Sequence, residues 1–304
     1  MQPAEFWQNF KLGQEVEIAS NFIYDGLKNF HHMDTLGEER EIFPVLYNLS
    51  IGLERLFKVA IVLSEFQDDT CVECFEKSLK THNHTKLLKK IDSNHLISFG
   101  PKHVDLLKLL SNFYQNQRYD RFSLKNFSVN SKDKESLLQY LHDHNDVEIN
   151  DDSTQSQTQN SDEIRDFVGR VVKDITVSIY EIIRSEARRK NLYTYEISSS
   201  YSKASKILLT DEPIEFQSDE IALIEAFVFL LNTKESSLVD FMKELDPLEL
   251  DPALASEYLK GVLRGQPREV QSLVDEVEAY HQDSSDIKNR LDMIKTIKDN
   301  SECL

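Results

Sequence analysis

Between Ile164 and Ile183 the apolar side chains return every three to four residues: Ile164, Phe167, Val168, Val171, Val172, Ile175, Ile179, Ile182 and Ile183. Only a helix brings that spacing onto one face, because 3.6 residues complete each turn. The stripe predicts a straight helix from about Asp162 to Lys190, roughly six or more turns long. Asp162 and Glu163 at its start and Arg188, Arg189 and Lys190 at its end match the sign of the helix dipole. A helix of this length must lay its stripe against other elements, so the rest of the chain has to supply partners for it.

Those partners read as helices too. The 304 residues hold 8 glycines and 7 prolines, too few to turn a many-stranded sandwich or barrel. Leu53, Leu56, Phe57, Ala60, Ile61 and Ser64 trace one face of a helix from about Glu38 to Phe66. Gly100-Pro101 opens another, with Val104, Leu107, Leu110, Phe113 and Tyr114 on its face. The fold class expected is all-α: an antiparallel helical bundle with an acidic disordered loop and a helical C-terminal extension. Residues 1–145 form the first part of the bundle, 146–163 the loop, 164–206 the long helix that completes it, and 207–304 the acidic extension. In the loop, acids are followed by a Ser/Thr/Gln run with two isolated aliphatics, Val147 and Ile149, too little apolar surface to offset ordering. In the extension, Asp251-Pro252 marks a helix start, and Val270 to Lys298 reads as a closing helical hairpin. The most apolar window, Ile221 to Leu231, falls short of the ~20 residues of a membrane span and reads as a buried helix.

The formal net charge of -18 argues against a polyanionic partner, yet the charge is unevenly placed. Residues 77–125 carry 10 basic and 3 acidic side chains, whereas residues 207–304 carry 9 basic and 22 acidic. The basic block also holds His82, His84, His95 and His103 with Phe113, Tyr114, Tyr119 and Phe122. Basic side chains interleaved with aromatics hold phosphates and stack bases, so this block is where RNA would bind, through Lys86, Lys89, Lys90 and Tyr119. The competing account has the same lysines as solvated helix surface, paired with the acidic flanks.

Few residues carry a recognisable chemistry. There is no Gly-rich phosphate loop, no HExxH and no Gly-x-Ser-x-Gly, and no cofactor is expected. Cys71-x2-Cys74 with His82 and His84 has the ligand types for zinc, but a helical stretch separates the pairs and no second Cys pair exists. The cysteines read instead as half-buried on one helix turn, and no metal is expected. His84, Arg118 and Arg121 are the candidate catalytic residues. An imidazole can move the 2′-hydroxyl or leaving-group proton, and a guanidinium can neutralise the phosphorane, which suffices for RNA cleavage without metal. The alternative is that Arg118 and Arg121 pair with acids such as Glu54 or Asp120 and lock helix packing.

The run from Tyr47 through Gly52-Leu53-Glu54-Arg55 to Lys58 resembles the second helix of HEPN-type domains. Leu79 to Leu88, with Thr81-His82-Asn83-His84, resembles the short helix start that follows it. Phe113 to Phe122 resembles a later helix of that bundle, and Ile182 to Arg188 with Asn191 to Glu196 its closing helix. The resemblance spans residues 1–206. It implies an antiparallel helical bundle, often paired with a second copy, of the kind found in ribonucleases, toxins and phage-defence proteins. The family's catalytic signature, Arg followed by His after four to six residues on one helix, has no match, since no Arg here is followed by a His at that distance.

Two functions are therefore expected in competition. One is a HEPN-like RNA-associated protein in defence or RNA metabolism, a metal-independent endoribonuclease if His84 meets Arg118 or Arg121 in space. The other is a non-catalytic helical interaction or scaffold module, whose acidic C-terminal region holds a protein partner. With no signal-peptide pattern at Met1 to Lys11, three cysteines and no membrane span, the expected place is the cytoplasm.

Overall fold

A computed structural model of the chain describes residues 6–67, 70–122, 132–147, 158–209, 216–233, 237–263, 271–283 and 287–302. It divides into two compact units, Met1–Ile214 and Glu215–Leu304. The described residues are helical or loop, apart from one isolated bridge between Thr35 and Gln159. The all-α reading holds.

In the first unit a π-helical turn, Trp7–Lys11, leads into α1 (Leu12–His32), and α2 (Glu39–Glu65) returns beside it. Around these lie α3 (Val72–Leu79), α4 (His84–Asp92), α5 (Pro101–Gln115) and α6 (Lys132–Asn145). The long helix α7 (Asp162–Arg189) and the short α8 (Tyr195–Ser198) and α9 (Lys203–Leu208) complete the unit. α2 is the centre, packing against α1, α4, α5, α6 and α7. Leu53, Leu56, Phe57, Ala60 and Ile61 are fully buried on it, as the spacing predicts. Ser64 is half-buried and bonds Ala60 O at 2.8 Å. The stripe of α7 is buried apart from Ile182, which is half-buried.

Two glycines allow α1 and α2 to approach closely. A Cβ at Gly52 would stand 2.6 Å from Ile23 Cγ1 and 3.0 Å from the Ala19 carbonyl oxygen. One at Gly26 would stand 2.9 Å from Leu49 Cδ2. Any side chain at either position pushes the helices apart, which outweighs the intrinsic cost of glycine in a helix.

The acidic loop expected at 146–163 falls mainly on 148–157, outside the described residues, but its two ends are described. Val147 is buried, and its carbonyl meets His142 Nδ1 at 3.0 Å. At the far end, Leu36 N donates to Thr158 O, and Asn160 N donates to Asp34 O. The buried Asn160 amide donates to Phe30 O at 2.7 Å and Met33 O at 3.0 Å. The carbonyls orphaned at the C-terminus of α1 are thus satisfied from 130 residues away. The helix that follows is capped by Ser161, whose hydroxyl accepts from Ile164 N. Ser161 to Asn160 and Thr158 therefore belong to the folded structure, which the sequence reading assigned to the loop.

The second unit contains α10 (Phe216–Asn232), α11 (Ser237–Lys243), α12 (Ala255–Leu263), α13 (Gln271–Asp283) and α14 (Ile287–Glu302). Asp251 caps a 3-10 turn, Pro252–Leu254, that runs into α12, its carboxylate accepting from Ala253 N. α14 packs against α11. The helix expected at Ile221–Leu231 exists, but it is not buried. Ile221, Leu223, Ile224, Phe227, Val228, Phe229 and Leu231 are all exposed, Phe229 by 62%. Apolar residues occupy every side of α10, and one small unit cannot cover all of them. No described helix is long and apolar enough to cross a membrane.

Candidate functional site

The basic block meets α2 around one buried carboxylate. Glu54 sits in the middle of α2, and its side chain is 10% exposed. Lys58, one turn further on, places Nζ 2.6 Å from Glu54 Oε1. His82, in the loop joining α3 to α4, places Nδ1 2.9 Å from Glu54 Oε2. A carboxylate can only accept, so Nδ1 of a neutral His82 carries the proton and Nε2 keeps its lone pair. The His82 side chain is half-exposed, so the base faces water while its orientation is fixed from behind.

Beside it stands a stack of aromatics and one guanidinium. The Tyr114 ring, at the end of α5, lies 4.9 Å from the His82 ring and 6.0 Å from that of Tyr47 on α2. Arg118, in the 3-10 turn Gln117–Phe122, lays its guanidinium carbon 3.8 Å from the Tyr114 ring centre and 4.6 Å from that of Tyr119. Two π faces hold the cation by its quadrupole attraction and fix its plane. No carboxylate among the described residues pairs with Arg118, and its buried Nε has no hydrogen-bond partner there. Of the two acids named as its partners, Glu54 is engaged by Lys58 and His82 instead, and the side chain of Asp120 is outside the described residues.

The cluster combines an oriented imidazole, a guanidinium held between two rings and without a carboxylate among the described residues, and an exposed aromatic face. Tyr119 is 58% exposed beside Arg118. In general chemistry an imidazole can take a proton and a planar guanidinium can accept charge on oxygen.

The residues singled out from sequence separate. His84 is fully buried, not in a cleft. Its Nε2 meets Ser50 O at 2.8 Å and its Nδ1 meets Ser111 Oγ at 3.2 Å, while its backbone N–H also donates to Ser111 Oγ. Burial pushes its pKa down, partly opposed by the Ser50 carbonyl. His84 therefore ties α4 to α2 and α5 as a neutral core imidazole, and with both nitrogens taken it has none to offer a substrate. Arg121 lies in the same 3-10 turn as Arg118; its side chain is outside the described residues. Lys86 and Lys89 are exposed on α4. Lys90 is not free. It meets Glu65 Oε2 at 2.9 Å and donates to Ser78 Oγ at 2.9 Å, and its Nζ sits 5.1 Å from the Phe75 ring centre. Lys90 is thus paired with an acid of the first 76 residues.

His82, Glu54 and Tyr114 were missed as a group. The available signal was that Glu54 and Lys58 share a helix face with Tyr47, two and three turns away. Nothing in the spacing says which of His82 and His84 turns inward.

An open cleft lies elsewhere. It has a volume of about 430 Å³ between α5 and α6, and Asp105, Glu135, Asp143 and His144 line it with Tyr140. His144 Nε2 meets Asp105 Oδ2 at 3.1 Å, and the Lys108 and His144 contacts hold the Asp105 carboxyl below its usual range. Such a lining repels phosphates. Among the described residues no three His, Cys, Asp or Glu side chains converge to hold a metal ion. No family model, no curated protein and no solved structure matches the chain.

Proposed function

We propose that the first unit is a HEPN-like RNA-associated domain that cleaves single-stranded RNA without a metal, acting in the cytoplasm in defence or RNA metabolism. The observation that supports this most is Arg118, stacked between Tyr114 and Tyr119 without a carboxylate among the described residues and next to the His82–Glu54 pair. In this reading His82 Nε2 takes the proton of the ribose 2′-hydroxyl, which attacks the adjacent phosphorus. Arg118 stabilises the added negative charge, and Glu54 is a positioning residue that stabilises the imidazolium as it forms. Lys86 and Lys89 contribute phosphate contacts, and Tyr119 a stacking face.

The test is binding of a labelled single-stranded RNA at several salt concentrations. Binding weakens linearly on a log–log plot, and Lys86→Ala/Lys89→Ala makes the slope shallower. Arg118→Ala weakens binding, whereas Lys90→Ala leaves it within about twofold because its cation is already paired. Equal affinity for all four proteins removes the RNA site.

A second reading rests on a different observation. The exposed α10 sits in a unit, Glu215–Leu304, that holds 20 acidic and 9 basic side chains. An apolar surface in an acidic field suits a basic amphipathic helix from a partner protein. A synthetic Lys/Leu amphipathic peptide then binds the full chain, and Phe227→Ser/Phe229→Ser abolishes that binding. Self-association that the same variant abolishes, without peptide binding, identifies a second copy as the occupant and overturns this reading.

A further inference from the structure

The sequence leaves Cys71 and Cys74 as two half-buried thiols, and the structure does not. Both are exposed. Cys71 is the N-cap of α3, with extended backbone (φ -64°, ψ 102°), and Cys74 lies in the first turn above it. Their sulfurs face each other at 2.7 Å. A disulfide holds its sulfurs at about 2.05 Å, so less than about 1 Å of travel separates this dithiol from a bond.

The helix beneath them is anchored without their help. Phe75, the residue after Cys74, is buried, with its ring centre 5.4 Å from that of Phe66. Lys90 lies over the same ring and donates to Ser78 one turn further on. The thiols therefore sit on a fixed scaffold and are open to solvent, the opposite of cysteines conserved in place by packing. They also differ from each other. The Cys71 thiol is held below its usual range by the Cys74 side chain, then by the Cys74 and Glu73 backbone N–H groups. The Cys74 thiol is pushed up by the hydrogen bond and charge of Cys71. The thiol at the N-cap is thus the better placed of the two to react as a thiolate, with its partner in reach to resolve the product.

We propose that Cys71 and Cys74 are a reversible redox site that exchanges with low-molecular-weight disulfides such as oxidised glutathione. The Cys71 thiolate attacks one sulfur of glutathione disulfide, forming a mixed disulfide and releasing one glutathione thiolate. The released thiolate takes the Cys74 proton, directly or through water. The Cys74 sulfur then attacks the Cys71 sulfur and expels the second glutathione, leaving the Cys71–Cys74 disulfide. The protein loses two electrons and glutathione disulfide gains them. In a reducing compartment this pair stays open and closes under oxidative load, the usual role of a disulfide there.

The experiment equilibrates the full chain in buffers of reduced and oxidised glutathione, blocks free thiols by alkylation and maps the peptides by mass spectrometry. Cys71 and Cys74 lose alkylation together as the oxidised fraction rises, and regain it together on reduction. Cys74→Ser accumulates glutathione on Cys71. Cys71→Ser leaves a Cys74 that is alkylated more slowly at neutral pH than Cys71 in Cys74→Ser, because the backbone N–H bonds that hold the Cys71 thiol low remain when the Cys74 side chain is gone. Both positions are exposed, so neither variant disturbs the core. The proposal is overturned if the peptide spanning 71–74 stays doubly alkylated in excess oxidised glutathione. Equal alkylation rates in the two single variants overturn the assignment of nucleophile and resolving thiol.

Discussion

α2 and α10 are both rich in large apolar residues, and the structure treats them in opposite ways. α2 buries 15 of its 27 residues under the helices around it, while seven large apolar side chains of α10 remain exposed. The difference lies in pattern. α2 gathers its apolar residues toward the helices packed on it and keeps Glu54, Arg55 and Lys58 where they meet other charges. α10 is apolar on every side, with Glu225 the lone charge between Ile221 and Leu231. Hydrophobic content states how much surface a helix has to hide, while periodicity states whether one neighbour can hide it.

The comparison is most easily broken by mutation, and the largest effect belongs to the core of α2. Phe57 is fully buried, so Phe57→Ala should cost about 3–5 kcal/mol in urea unfolding of the full chain. A loss under about 1 kcal/mol would mean that α2 is not the centre of the first unit. Next comes Gly52→Ala, where the added methyl meets Ile23 and the Ala19 carbonyl; overpacking costs about 1–3 kcal/mol. Stabilisation by the alanine would refute the close approach of α1 and α2.

A third effect is set by pH. His84 is buried neutral with its pKa pushed down, so the unfolded chain binds its proton at a higher pH than the folded one. Stability is therefore fully present above the ordinary imidazole value of about 6.5. It falls below that pH by up to about 1.4 kcal/mol per unit, until the folded-state pKa is reached. His84→Gln should flatten this slope between pH 6.5 and 5; an unchanged slope would assign it to other groups. Smallest is Phe229→Ser on α10, expected within about 0.5 kcal/mol of wild type because the side chain is already in water. A loss of several kcal/mol would show that α10 is covered in solution.

What the sequence discloses follows the same physics. The helices Glu39–Glu65, Pro101–Gln115 and Asp162–Arg189 are legible because one-sided burial leaves a periodic trace. Asn160 is not, since its two bonds to carbonyls of the α1 end depend on chain paths that no local pattern records. At the candidate site Arg118 and Tyr119 could be named from the basic and aromatic composition, and Lys90 could be named but not placed. The choice between His82 and His84 could not be made. Two residues apart in a loop entering a helix, they face opposite ways, and the outcome depends on Ser50, Ser111 and Glu54, 27 to 34 residues away. Periodicity carries burial along an element; it carries nothing about which loop side chain meets a distant carboxylate.

That inversion between His82 and His84 is also where the account is most exposed. Single-stranded RNA incubated with the protein and excess chelator should be cut to fragments ending in 2′,3′-cyclic phosphate. His82→Ala should lower the rate about 10²–10⁴-fold, the usual share of a general base, with the helical circular dichroism of the wild type retained. No cleavage by the wild-type protein, or a His82→Ala variant as active as wild type, would contradict the assignment.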